Sequence, residues 1–197
     1  MLFYKFTRLL CRMILVLLRR WEVQGVENLS NAGGLVLVSN HTSYWDPVVV
    51  GCAFNRQVHF MAKSELFAIP LLGTAIRTLG AFPVRRDKSD RNAIRTAVKL
   101  LEEGRVVGVF PEGTRSRTGE LQKPHLGAAM LALKAGVPML PVAVNGTKGL
   151  FGKVTVLVGR PVLKQGAIKV TKADLENASD QVMKQIAGLL KDVQRGN

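Results

Sequence analysis

The feature of this sequence that most constrains its fold is an alternation between short apolar runs and longer segments with a helical apolar stripe. Residues 35–39 (LVLVS) and 106–110 (VVGVF) are the nearly continuous apolar runs that a strand buried on both faces requires. Residues 91–103 instead carry apolar side chains at helical intervals, and Gly104 follows them, as at a helix end. The alternation predicts an α/β fold with a largely parallel or mixed sheet flanked by helices.

The same pattern continues along the chain, with no linker-like stretch that would mark a second domain. Further strands are predicted at residues 58–62, 81–84, 139–144 and 154–158, and further helices from residue 46 onward and at 70–79, 127–135 and 174–193. A chain of 197 residues is long enough for one domain with a sizeable core, which buries roughly 70% of its unfolded surface. We therefore predict a single domain over residues 22–197, preceded by a segment of different character at residues 1–21.

Residues 1–21 have the pattern of an amphipathic helix with a wide apolar arc. The longest uncharged apolar run, residues 13–18, is far shorter than the about 20 residues that a membrane span needs. Trp21 ends the segment with an amphipathic ring suited to a lipid headgroup layer. The basic residues that share one narrow stripe are Lys5, Arg8, Arg12 and Arg19. We predict a helix lying in a membrane interface with this stripe facing anionic lipid; the alternative is a helix packed on the domain with snorkelling basic side chains.

The net charge predicts an anionic partner. Lys and Arg number 28 against 14 Asp and Glu, so the chain carries +14. Such a charge suits nucleic acid, an anionic membrane surface or a phosphorylated substrate. Nucleic acid is disfavoured, because aromatic residues are only 6% and none lies within a basic stretch outside the amino-terminal segment.

Cys11 and Cys52 provide no disulfide framework, which favours a reducing cytosolic setting. No cluster of Cys and His has the spacing of a metal site.

Polar clusters follow several of the predicted strands, where ligands bind in sheets of this kind. After residues 35–39, Asp46 can fold back onto one nitrogen of His41, fix its tautomer and leave the other nitrogen as a base near neutral pH. The alternative is that Asp46 is only the N-cap of a helix whose first residue is Pro47. After residues 106–110, Gly113 can leave backbone N–H groups of the turn free to bind a ligand. Arg115 offers a guanidinium group with paired N–H donors, which suits a phosphate.

These clusters coincide with motifs of a known family. In chain order, the matches are an HxxxxD motif at His41 and Asp46, a G-x-F-x-V-x-R-like block at 80–86 with Arg86 at the family arginine and Arg85 at a variable position, FPEGTRS at 110–116, and a proline-containing apolar block at 137–142. Their order and spacing are specific. Over about residues 20–163 the chain resembles the glycerolipid acyltransferase family, most closely the bacterial 1-acylglycerol-3-phosphate O-acyltransferases.

The resemblance implies transfer of an acyl chain from a thioester, acyl-CoA or acyl-carrier protein, to the 2-hydroxyl of lysophosphatidic acid, without a cofactor or metal. It implies that His41 takes the hydroxyl proton and that Asp46 orients His41. The substrate-binding residues it implies are Lys63 near the thioester, Glu112, Gly113 and Thr114 around the glycerol, and Arg86 and Arg115, with Arg85 beside them, on the phosphate. A different acceptor, such as glycerol 3-phosphate or another lysolipid, is the alternative. The implied location is the cytoplasmic face of the cell membrane, with peripheral or monotopic attachment.

Overall fold

The computed structural model describes residues 2–29, 32–85, 90–149, 151–162 and 170–195. The helices of this part are α1 (Leu2–Arg19), α2 (Asp46–Ala53), α3 (Leu72–Thr78), α4 (Arg91–Glu102), α5 (Gly127–Ala135) and α6 (Lys172–Arg195). Its strands are β1 (Glu22–Gln24), β2 (Leu35–Ser39), β3 (Val58–Lys63), β4 (Phe82–Val84), β5 (Val106–Val109), β6 (Met139–Asn145) and β7 (Thr155–Val158). Short 3₁₀ turns follow β1 and β3.

The strands form one mixed sheet in the order β1-β7-β6-β2-β5-β3-β4. Only β6 and β7 are antiparallel among the neighbouring pairs of the described residues. The carboxyl ends of β2, β3, β4, β5 and β6 therefore meet at one edge of the sheet, which we call the site edge. The predicted α/β fold with a largely parallel or mixed sheet is confirmed.

The core consists of two apolar layers, one on each face of the sheet. Along β2, Leu35 and Leu37 point into the layer that holds α2, whereas Val36 and Val38 point into the layer built with α4, α5 and α6. Every residue of β2 is buried. This two-sided burial is the reason that the strand has no polar residue before its last position.

Helix α1 packs on the domain with the side that carries its arginines, so the prediction that this stripe faces lipid is wrong for them. The Nη1 of Arg8 donates to the carbonyl of Phe54 at 2.7 Å, and the Nε of Arg12 donates to that of Cys52 at 2.7 Å. Carbonyls at the end of α2 have no partner within the helix and carry its negative dipole end, so guanidinium groups stabilise them. Arg19, only 5% exposed, binds carbonyls of the loop after β6.

The opposite side of α1 is apolar and open. The exposed fraction of its side chains ranges from 38% for Ile14 to 85% for Leu2. These side chains are Leu2, Phe3, Phe6, Leu9, Leu10, Met13, Ile14, Val16, Leu17 and Leu18. We call these residues the apolar face of α1. Over the described ranges, no helix has both the length and the hydrophobicity needed to cross a membrane. A continuous apolar surface of this kind is unusual on a monomeric soluble protein and marks a binding surface.

Candidate active site

His41 and Asp46 form a buried pair at the site edge, directly after β2. The Nδ1 of His41 lies 2.9 Å from the Oδ2 of Asp46, and Asp46 is fully buried. The same Oδ2 accepts the backbone N–H groups of Thr42 at 2.6 Å and Ser43 at 2.7 Å. A carboxylate only accepts hydrogen bonds, so Nδ1 carries the proton and the neutral imidazole has its free lone pair on Nε2.

The alternative in which Asp46 only caps a helix is wrong. Asp46 is the first residue of α2, and Trp45 occupies the N-cap position without a side-chain cap. The carboxylate of Asp46 instead turns back over the loop that precedes the helix. Its second oxygen, Oδ1, accepts the hydroxyl of Thr147 at 2.5 Å. Thr147 was not predicted as a site residue from the sequence, because it lies outside the recognised motifs.

The loop after β5 clamps the His41 loop through its backbone and one aromatic ring. The imidazole of His41 stacks on Phe110, with ring centroids 4.1 Å apart. The N–H of Ser116 donates to the carbonyl of His41 at 2.7 Å. Because these contacts join two neighbouring strand ends, the position of the base depends on both motifs.

Glu112 completes this clamp. Its Oε1 accepts the backbone N–H of His41 at 2.9 Å, and its Oε2 accepts that of Gln122 at 3.0 Å. The side chain is only 4% exposed. Each carboxylate oxygen is therefore engaged by a backbone amide, a bracing role that the sequence analysis did not assign to this residue.

A cavity of about 800 Å³ lies beside the clamp and brings together residues from two of the predicted motifs. Arg85, Glu112, Gly113 and Thr114 all line it. The rest of the wall is mainly apolar, with Met61, Val84, Ile94, Val109, Phe110, Met130 and Leu131. The combination of an apolar wall with a few polar and charged lining residues fits a molecule that has both a hydrocarbon chain and a charged group.

Gly113 occupies a position that only glycine fits. Its φ is +70°, and a Cβ there would lie 2.9 Å from the Cδ2 of His125. Its own N–H donates to the carbonyl of Phe110 at 3.1 Å and is engaged within the turn. Gly113 thus shapes the turn behind the cavity.

The predicted phosphate-binding arginines differ in their surroundings. Arg115 lies over the ring of Tyr44, with its Cζ 3.5 Å from the centroid, and its Nη2 donates to the Tyr44 hydroxyl at 2.8 Å. The Nε of Arg85 lies 3.7 Å from the Oδ2 of Asp90. Arg86 lies outside the described residues. Arg115 is thereby attached to the same loop that carries His41.

Lys63 ends β3 at the site edge, but it does not line the cavity. Its Nζ lies 2.8 Å from the Oε1 of Glu65, and this ammonium is the main cause that lowers the pKa of Glu65 to about 2. As for metals, no three His, Cys, Asp or Glu side chains of the described ranges are grouped so that they could hold an ion.

Comparison with known proteins identifies the family of this chain. The family model described as Acyltransferase matches residues 20–145. The 1-acyl-sn-glycerol-3-phosphate acyltransferase of Bacillus subtilis is 36% identical over 165 residues, which cover 81% of this chain and 82% of that protein. A chloroplast protein of the same name from Brassica napus is 33% identical, and the matched region spans 78% of this chain but only 46% of that longer protein.

A solved structure has the same fold. The crystal structure of the 1-acyl-sn-glycerophosphate (LPA) acyltransferase PlsC from Thermotoga maritima superposes with a TM-score of 0.80 at 29% identity. The match covers 97% of this chain and 79% of that one. The family match covers well over half of the chain. It includes both the His41–Asp46 pair and the loop after β5. On these findings, this chain belongs to the acyltransferase family.

Proposed function

We propose that this protein transfers an acyl chain from a thioester to the 2-hydroxyl of 1-acylglycerol 3-phosphate and so produces phosphatidic acid. The observation that carries this proposal is the buried His41–Asp46 pair beside a cavity that has a mainly apolar wall and Arg85 in its lining. The names of the relatives from Bacillus subtilis and Thermotoga maritima support the same acceptor. Acyl-CoA and acyl-carrier protein both fit as donors, because each is anionic and the chain carries +14.

In the proposed reaction the substrate hydroxyl is the nucleophile and His41 is the base. Nε2 accepts the hydroxyl proton while the oxygen attacks the thioester carbonyl. The C–O bond of the new ester forms, the C–S bond breaks, and the thiolate leaves with the proton from Nε2. Asp46 holds Nδ1–H throughout and stabilises the imidazolium. General base catalysis of this kind contributes about 10²–10⁴ in rate. The reaction needs no acyl-enzyme intermediate.

In this proposal arginines of the two motifs bind the acceptor phosphate, and the apolar wall of the cavity binds its acyl chain. We assign the phosphate to Arg115 and Arg86, with Arg85 as the weaker neighbour because Asp90 already opposes its charge. Gly113 and Thr114 shape the wall next to the glycerol. Lys63, which pairs with Glu65, keeps its proposed place near the thioester of the donor.

The apolar face of α1 is proposed to lie in one leaflet of the membrane, where the substrate and the product reside. Burial of a single Leu or Phe contributes about 1.5–3 kcal/mol, so several such side chains suffice for attachment. Lys5 and Arg20 stay exposed and can contact anionic headgroups, whereas Arg8, Arg12 and Arg19 hold the helix to the domain. This corresponds to peripheral or monotopic attachment, which we place at the cytoplasmic face.

The activity is tested with purified protein in detergent, a panel of acceptors and both donors. We expect 1-acylglycerol 3-phosphate to be preferred over glycerol 3-phosphate and over lysolipids without phosphate. His41→Ala should lower turnover by about 100-fold or more, because it removes the base, yet still bind the acceptor in calorimetry. Equal rates with all acceptors would contradict the substrate assignment, and a His41→Ala variant that keeps more than about a tenth of the activity would contradict the mechanism.

Membrane attachment is tested by flotation with neutral and anionic vesicles. Leu17→Asp, at a 78% exposed position of the apolar face, should weaken binding to both kinds of vesicle by about 10-fold or more. Lys99→Gln on α4, on the opposite face of the sheet, lowers the net charge by the same one unit and serves as the matched control. Equal binding by Leu17→Asp and the wild type would show that α1 is not the anchor.

A further inference from the structure

Thr147 makes a short, buried contact with the catalytic pair. Its Oγ1 donates to the Oδ1 of Asp46 at 2.5 Å and lies 3.3 Å from the Oγ1 of Thr42. The residue is only 1% exposed and lies just beyond the end of β6 at the site edge. The other oxygen of Asp46 has three donors, and Thr147 adds the hydrogen bond on Oδ1 that helps to set the rotation of the carboxylate about its Cβ–Cγ bond.

The loop that presents Thr147 is held by α1. Arg19 donates from Nη2 to the carbonyl of Gly146 at 2.6 Å, from Nη1 to that of Gly149 at 3.1 Å and from Nε to that of Gly152 at 3.2 Å. The guanidinium group is almost completely buried. Gly146 immediately precedes Thr147, so the first of these bonds fixes the peptide next to the hydroxyl donor.

We propose that Thr147 is a positioning residue for the His41–Asp46 pair and that Arg19 keeps it in place. This inference rests on the proposed role of His41 as the base. With Oδ1 fixed, Oδ2 stays directed at Nδ1–H of His41, and Nε2 stays directed at the acceptor hydroxyl. Helix α1 then serves the chemistry as well as the membrane, because its last residue holds the loop that orients the carboxylate.

Loss of the hydroxyl should act on turnover more than on binding. A hydrogen bond to a charged group corresponds to about 10- to 150-fold in an equilibrium or rate constant. Thr147→Val puts a methyl group where the hydroxyl was, and this methyl excludes a replacement water from the adjoining cavity of about 570 Å³ that Thr42 and Thr147 line. We expect kcat to fall about 10-fold or more with the KM of the acceptor nearly unchanged. Thr147→Ser retains the donor and should restore kcat.

The route through Arg19 is tested by a double-mutant cycle in detergent, where membrane binding plays no part. Arg19→Gln should lower kcat, and in the Thr147→Val background it should add little further loss. Arg12→Gln is the matched control, since it also removes a guanidinium that docks α1 but contacts the far end of α2. Full additivity of Arg19→Gln and Thr147→Val, or an equal loss in Arg12→Gln, would overturn the role of Arg19.

A readout that does not depend on turnover separates this inference from the proposed activity. The Nδ1 proton of His41 should give a slowly exchanging downfield NMR signal in the wild type and in Thr147→Ser. In Thr147→Val it should broaden or shift, since Oδ1 loses its donor and the carboxylate is held from one side only. An unchanged signal together with a kcat within about threefold of the wild type would overturn the positioning role, because a lost hydrogen bond to a charged group corresponds to more than that. Failure of the proposed function would instead appear as activity retained in His41→Ala.

Discussion

Replacement of Glu112 by Gln tests whether this residue braces the His41 loop. The carboxylate accepts one backbone N–H on each oxygen, from His41 at 2.9 Å and from Gln122 at 3.0 Å. A glutamine has the same shape but only one oxygen at this end. One of the two amides would therefore face the NH₂ group of the new side chain, which is a donor opposite a donor.

The expected loss of folding stability in Glu112→Gln follows from these two hydrogen bonds. A buried donor left without an acceptor costs about 1–3 kcal/mol, and the remaining bond loses its charge assistance, worth about 1 kcal/mol. Relief from burying a carboxylate that is 4% exposed offsets part of this. The net destabilisation should be about 1–3 kcal/mol, which for a domain of this size lowers the Tm by about 2–4 °C per kcal/mol.

The assay is thermal unfolding in detergent, followed by near-UV circular dichroism. Glu120→Gln is the matched control, because it removes the same charge from an exposed position of the same loop and should leave the Tm almost unchanged. Glu112→Asp should also be destabilised, since its shorter side chain cannot reach both amides. A Tm for Glu112→Gln equal to that of Glu120→Gln would refute the bracing role.

Four further variants or conditions test other parts of the structure. Arg115→Ala should raise the KM of the acceptor about 10- to 150-fold in steady-state assays, and an equal rise in the donor KM would reassign the residue. Gly113→Ala should lower the Tm, because its φ of +70° costs about 1–2 kcal/mol for any other residue. Burial lowers the pKa of His59, so stability should fall in urea titrations as pH drops below about 6.5, and less so in His59→Gln. Burial raises the pKa of Cys52 to about 12, so iodoacetamide should label it far more slowly in the native than in the unfolded protein.

The sequence predicts those elements whose burial leaves a local pattern. Residues 35–39 are apolar because both faces of β2 are covered, and the observed strand, Leu35–Ser39, has the predicted bounds. Strand β1 was not predicted, because it has only three residues, Glu22–Gln24, and two of them are polar. It is an outermost strand of the sheet and pairs only with β7 among the described strands. The comparisons confirm the family predicted from the motifs.

The site shows the same division between local and distant signals. The contact between His41 and Asp46 was predictable because the residues lie five positions apart on one turn. Thr147 lies 101 positions from Asp46, and no periodicity or spacing points to that pairing. Likewise, helical periodicity places Arg8, Arg12 and Arg19 on one stripe, but their acceptors are mainly backbone carbonyls, which have no signature in a sequence.

Because the arginines of α1 bind backbone carbonyls, substitutions in α1 should disturb these hydrogen bonds more than substitutions in the segment that it contacts. Every residue has a carbonyl, so side chains at Cys52 or Phe54 can change without removing the acceptors that Arg8 and Arg12 use. Substituting an arginine, in contrast, leaves acceptors without a donor. The polar part of this docking therefore depends on the sequence of the helix far more than on that of α2, whereas the buried Leu15 depends on the core residues around it.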